Sequence, residues 1–492
     1  MRWLYLLLLS IICVQPIAGQ TPASAQAAQV AAQSPVPGTK QDAPELSPQA
    51  AYDQAARSLD SVRRPVQNWS DAEIAALKVA MGQANTACLA RNPDQYTGED
   101  LLAYAQLCAF AHVWEPVQKA ATNYLIAQSA ASPEEKLTGF PGLSLAFDFE
   151  VMASLQLKNP DRAFGTTQTM LRTVPYDDMA SEASNATIRY VQLIHTDQAL
   201  TLLTQRQPIL LAMLKTHATT VTTPGAHPPH TIHDLYSDAI ALPAMQQFAN
   251  QPDQAAASFA ELEAALPANL SPDDAIFTAA SRRQYRLLGA PLPAIAASAS
   301  LLSAPFAAPQ DLNVGFSAAR IFVLFPDWCA QCVSMNPQFV SAMGVLNQKG
   351  VRFYALLAQA NPRPPAVKDA PKLPVKAGLP TVAKSGKTPG APGTTAEVPH
   401  VELQLSVKPT PAELLVGTPT LIVPPETLTT FVATDFPLLI ATDHQGIVRY
   451  IQPAPENALV SGGIVEQIAD RIVEQWPPFK HDSGAGSAEP PQ

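Results

Sequence analysis

Long basic runs are absent from this chain, and so is any apolar stretch long enough to span a bilayer comfortably. With a net charge of −10, the acidic balance argues against an extended nucleic-acid surface. Cysteine is scarce: five residues in 492, with a single Cys-x-x-Cys spacing. No second pair and no suitable histidine follow that spacing to complete four zinc ligands, which favours redox chemistry over metal binding. Strand-like alternation is nearly missing from the first 300 or so residues. Proline, by contrast, is plentiful. Its 48 residues are about twice average usage and cluster in candidate linkers.

The length implies two or more domains. Met1-Arg2-Trp3, the apolar run from Leu4 to Val14 and then Pro16-Ile17-Ala18-Gly19 together read as a secretory signal over 1–19. It is either cleaved or kept as a membrane anchor. Ile12 before Cys13 argues against a lipoprotein signal, which has a small residue there. Residues 20–46 are rich in Ala, Gln, Pro and Ser and cannot bury enough surface to offset ordering, so they read as a disordered linker. The tail 479–492 reads the same way.

From 47 to 302 the pattern is helix after helix. Ser47-Pro48, Ser132-Pro133 and Ser271-Pro272 place a capping hydroxyl before a proline at the first helical position. Ser70 with Glu73, and Ser132 with Glu135, have capping-box spacing. Ala163 with Met170 and Pro175, and Ala255 with Phe259, Leu262 and Pro267, resemble the second helix of a tetratricopeptide repeat. They begin ninety-two residues apart, not a multiple of the ~34-residue repeat, so tetratricopeptide-like hairpins are expected but no regular array. Such a region either offers a concave surface to a protein partner or simply supports the other domain.

Cys88 and Cys108 fall on separate helical patterns and either form a structural disulfide or remain buried thiols. His227, His230, His233 and Asp234 are spaced closely enough to suggest zinc or copper, yet Pro228-Pro229 stiffens the loop, and solvated histidines are the expectation. Asn185-Ala186-Thr187 and Asn269-Leu270-Ser271 fit the glycosylation sequon.

The texture changes over 303–478. Arg320 to Phe325 and Val351 to Leu357 read as buried strands. Phe436 to Thr442 and Ile447 to Ile451 flank the turn Asp443-His444-Gln445-Gly446 as a hairpin, and Ile464 to Trp476 has helical spacing. The sequence therefore predicts a helical domain followed by an α/β domain. Cys329 and Cys332 fall where the first strand ends and a helix begins, a setting that favours thiolate and so attack on disulfides. A proline-rich stretch at about 359–412 reads as a disordered insertion.

Trp328-Cys329-x-x-Cys332, Pro337 five positions later, Pro437 leading a strand and the following Asp443-x-x-Gly446 hairpin resemble the thioredoxin fold, most closely the exported TlpA/ResA-like thiol–disulfide oxidoreductases. The resemblance implies a location in the bacterial periplasm or cell envelope and a redox-active Cys329–Cys332 disulfide, with no other cofactor. Its partners would be protein thiols and disulfides and a redox partner, with no nucleic acid. It implies that Cys329 attacks, Cys332 resolves, Trp328 covers the pair, and Phe436 and Pro437 meet an extended substrate, with the bond before Pro437 cis. Gly417-Thr418-Pro419 offers a second candidate for the cis proline, but the hairpin and closing helix favour Pro437. The alternative is a helical binding module whose thioredoxin-like half is structural or redox-sensing.

Two positions depart from the family. Val323 replaces an acid that many thioredoxins carry six residues before the first cysteine, and Met335 replaces a glutamate of some ResA-like proteins. Asp327 is charged, but a carboxylate beside Cys329 raises a thiol pKa.

Overall fold

The computed structural model of the chain describes residues 46–64, 69–130, 140–217, 230–295, 317–359, 415, 417–454 and 463–478. The expected signal, the linker up to residue 45, Ser132-Pro133, His227, the insertion after Gln359 and the tail lie outside the described residues. Among the described residues, no helix is long and apolar enough to cross a membrane.

Among the described residues eleven α-helices come first: α1 Pro48–Asp60, α2 Asp71–Leu89, α3 Gly98–Phe110, α4 Trp114–Ser129, α5 Phe140–Gln156, α6 Pro160–Thr173, α7 Asp178–Val191, α8 Thr196–Thr216, α9 Ile232–Phe248, α10 Pro252–Ala265 and α11 Pro272–Tyr285. Local chemistry sets their starts. Ser47 and Ser271 accept from backbone N–H groups of the first turn, each ahead of a proline, and Ser70 with Glu73 closes a full capping box. A cap of this kind is worth about 1 kcal/mol. Glu73 is itself buried, and the Arg64 guanidinium holds its carboxyl far below the usual carboxylate range.

Tight turns fold these helices into hairpins. His112, Lys158 and Asn250 each take a left-handed conformation (φ 58°) between α3 and α4, α5 and α6, and α9 and α10. The next residue donates back into the ended helix: Val113 to the Cys108 carbonyl, Asn159 to Ser154, Gln251 to Gln246. In the second helix of each hairpin, the fourth residue is fully buried: Val117, Ala163, Ala255 and, across the α7–α8 turn, Ala199. The two expected positions, Ala163 and Ala255, thus belong to a set of four.

Arg206 ties the middle hairpins together. Fully buried, it donates to Asn185 Oδ1 (2.6 Å) and to the Asp238 carbonyl (2.9 Å). Asn185 Nδ2 in turn donates to Asp238 Oδ1, and Thr187 is buried against Thr167. This sequon is therefore committed to helix packing rather than displayed for a glycan.

The strand-bearing half contains β1 Ala319–Pro326, α12 Ala330–Ser334, α13 Asn336–Gln348, β2 Val351–Ala358, β3 Thr420–Val423, α14 Glu426–Thr430, β4 Leu438–Asp443, β5 Val448–Pro453 and α15 Ile464–Gln475. The sheet order is β3-β2-β1-β4-β5, with β1, β2 and β3 parallel and β4 and β5 forming an antiparallel hairpin beside β1. Alternation along β1 builds two cores. Ile321, Val323 and Phe325 pack with Phe339 of α13 and Ile468 of α15, while Phe322 and Leu324 pack on the other face with Phe431 and Leu292. A helical N-terminal region followed by a mixed five-stranded sheet domain is compatible with the thioredoxin-like fold.

The two regions meet through backbone as well as side chains. Helix α11 ends at Tyr285, and the chain then runs along the start of β5: Gly289 donates to the Val448 carbonyl, Val448 to Ala290, and Leu292 to Gly446. Gly289 needs its freedom here, having φ 75° and the Gln247 amide where a Cβ would project. Phe248 of α9 meets Tyr450 of β5 edge-on at 5.7 Å.

One buried group makes a pH prediction. Asp148 of α5 is 4 % exposed and its Oδ1 has no hydrogen-bond partner among the described residues. Burial, with Glu182 and Asp177 acting in the same sense, raises its carboxyl well above the usual range. The native state therefore holds a proton that the unfolded chain releases above about pH 4, so stability falls as pH rises through this window. Asp148→Asn should raise the melting temperature at pH 8 and change it little at pH 4; an equal effect at both would contradict this.

Candidate redox site

Strand β1 delivers the chain to the cysteines. After Pro326, Asp327 N–H donates to the Ala358 carbonyl at the end of β2, and Cys329 N–H donates back to Pro326 (3.1 Å each). This closes a tight turn at the C-terminal end of the parallel strands. Cys329 caps α12, its sulfur accepting from Cys332 N–H at 3.3 Å. The two sulfurs form a disulfide. Met335 separates α12 from α13, where Pro337 occupies the first turn, so the helix is interrupted just ahead of that proline.

The two cysteines differ in exposure. Cys329 is half-buried, whereas Cys332 is 0 % exposed in the core that includes Val323, Met335 and Phe339. Trp328 is 71 % exposed, the most open of the large apolar side chains among the described residues. Its ring stands edge-on to Phe436 at 5.5 Å. The Phe436–Pro437 peptide bond is cis, whereas the bond before Pro419 is not. Pro437 is buried immediately ahead of Leu438, whose partner on β1 is Leu324, and its carbonyl accepts from Ala454 N–H at 2.7 Å. Trp328, Cys329, Cys332, Phe436 and Pro437 therefore assemble at one end of the sheet from two separate stretches of sequence.

The other sequence-predicted residues lie elsewhere. Cys88 of α2 and Cys108 of α3 form a second disulfide, both fully buried within the helical region. The histidines do not converge: His230 meets the Tyr176 carbonyl, His233 stacks on Phe277 beside Asp274, and Asp234 caps Thr231. No cluster able to hold a metal occurs among the described residues. The Asp443-x-x-Gly446 turn forms as the spacing predicts: Asp443 accepts from Gln445 and Ile447 N–H groups and pairs with Arg449, and Gly446 has φ 80°.

Some contacts at the site were not anticipated. Thr418 donates to Asn336 Oδ1 at 2.7 Å, fastening the start of α13 to the approach to β3. Asp435 stands exposed just before Phe436, and Glu426 stands exposed at the start of α14 after β3; only those positions could have flagged them.

Exposure predicts an order of thiol reactivity. After mild reduction, Cys329 should be alkylated first, Cys332 later, and Cys88 and Cys108 only on unfolding, as read by peptide mass spectrometry. Early labelling of Cys332 would contradict the arrangement. Compared with known proteins, the chain matches no protein-family model and no curated sequence.

Proposed function

We propose that this chain is an exported thiol–disulfide oxidoreductase of TlpA/ResA-like type, with a tetratricopeptide-like helical region preceding its redox domain. The observation that carries the reading is the asymmetric cysteine pair: an accessible Cys329 and a buried Cys332 on one helix start, beside Phe436 and Pro437. Cys329 thiolate attacks one sulfur of a partner disulfide, forming a mixed disulfide and expelling the first partner thiolate. Cys332 thiolate then attacks the Cys329 sulfur, closing the protein disulfide and expelling the second. Two electrons pass from the protein dithiol to the partner, and an external thiol reductant resets the pair. The hydrogen bond from Cys332 N–H favours the Cys329 thiolate. The exposed Trp328–Phe436 edge offers the partner an apolar contact beside the attacked bond.

Nothing ionisable on β1 lies under the pair, since the residues facing α13 are Ile321, Val323 and Phe325. Strand β1 therefore offers the Cys332 thiol no proton acceptor. The helical region supports a second reading, a partner-binding module. A cavity of about 560 Å³ opens between α4, α5 and α6, lined by Leu125, Ile126 and Phe147, with Arg162 paired to the buried Glu150.

Insulin reduction with dithiothreitol tests the first reading. Wild type should accelerate precipitation, Cys329→Ser should not, and Cys332→Ser should accumulate a mixed disulfide visible by mass. Equal activity of wild type and Cys329→Ser, or none in either, would leave the binding-module reading.

A further inference from the structure

Charge is segregated along the strand-bearing half. Its described cations are Arg320, Lys349, Arg352, Arg449 and Arg471. Arg320 and Arg352 are register partners at the starts of β1 and β2. Lys349 precedes β2 and pairs with Asp470, Arg449 follows the hairpin turn and pairs with Asp443, and Arg471 pairs with Glu474 near the end of α15. All five lie toward the end of the sheet opposite the cysteines. The cysteine end carries carboxylates instead. Asp327 stands two residues before Cys329, and Asp435 directly precedes Phe436, whose ring meets Trp328. Glu426 opens α14 just after Val423, whose carbonyl accepts from Gln359 at the end of β2. None of the three meets a lysine or arginine among the described residues.

We propose that these carboxylates select the partner: the Cys329–Cys332 pair exchanges with disulfides flanked by positive charge and disfavours anionic ones. The inference rests on the oxidoreductase reading and adds the substrate class to it. Three negative charges toward the same end of the sheet as a partly desolvated bond raise the local concentration of a cationic disulfide and repel an anionic one, on a scale of ten-fold or more at low ionic strength. The same carboxylates oppose the thiolate electrostatically, so an approaching cation relieves that repulsion as well as being attracted. Trp328 and Phe436 complete the description: a disulfide set between basic residues and an apolar side chain fits this rim.

The test uses the full chain, reduced and freed of reductant. Its reoxidation is followed by tryptophan fluorescence against cystamine (cationic), bis(2-hydroxyethyl) disulfide (neutral) and 3,3′-dithiodipropionate (anionic). Each rate is divided by that of the same disulfide with dithiothreitol in solution, which removes intrinsic reactivity. The corrected rates should fall in the order cationic, neutral, anionic, with about ten-fold between the extremes. That spread should shrink toward unity near 1 M salt, where the Debye length is about 3 Å. Glu426→Gln with Asp435→Asn should narrow the ratio of the cationic to the anionic rate about three-fold, whatever it does to the rate with the neutral disulfide. Reaction with all three but no charge order would overturn the inference alone. A reversed order would overturn it too. Reaction with none of them would overturn both the inference and the reading beneath it.

Discussion

Strand β1 is buried along all eight of its residues, on both faces and between two neighbouring strands. That constraint governs the rest of the domain. A central strand with no wet face must be apolar throughout, and Ile-Phe-Val-Leu-Phe satisfies this while its alternation feeds two separate cores. Because β2 runs parallel to it, the connection has to cross over as a helix, and that helix begins with the cysteines. Because β4 runs antiparallel on its other side, Phe436 and Pro437 return to the same end. The site is thus a product of strand direction, with residues about a hundred positions apart brought together by the register of one buried strand.

The same packing separates the roles of the two sulfurs. Cys332 faces the core that α13 and α15 share with β1, so its surroundings are hydrocarbon, while Cys329 sits at the rim where the turn after Pro326 emerges. Reactivity here is a matter of depth rather than of a special catalytic group. The helical region meets the sheet at Tyr450 and along residues 446–448, while Leu292 beyond α11 packs into the core that holds Phe322, Leu324 and Phe431.

Much of this was legible in the sequence because it depends on short range. The apolar run of β1, the Pro337 break, the Asp443-x-x-Gly446 turn and the serine caps each encode their geometry within a few residues. Pro437 was separable from Pro419 by the hairpin that follows it, although both lead strands. What escaped was long range or carried a weak local signal. Ala199 belongs to the same hairpin set as Ala163 and Ala255, but His195-Thr196 replaces the Asn-Pro or Gln-Pro that starts the others. Asn185 looked like a surface sequon because nothing nearby announces Arg206 or Asp238 as its partners. The placement of Glu426 and Asp435 toward the cysteine end of the sheet follows from strand order, which a linear reading does not contain.

The short stretch from Gly289 to Leu292 has one more consequence. A β-hairpin at the margin of a sheet leaves a row of unpaired amides and carbonyls, an invitation to association with other chains. Here the first part of β5 donates to and accepts from the segment leaving α11, so the helical region acts as the sheet's selvedge. Cutting the chain between the two halves at residue 303 would strip that border away. The strand-bearing half is the piece that carries Cys329 and Cys332, but it is not a piece with finished edges.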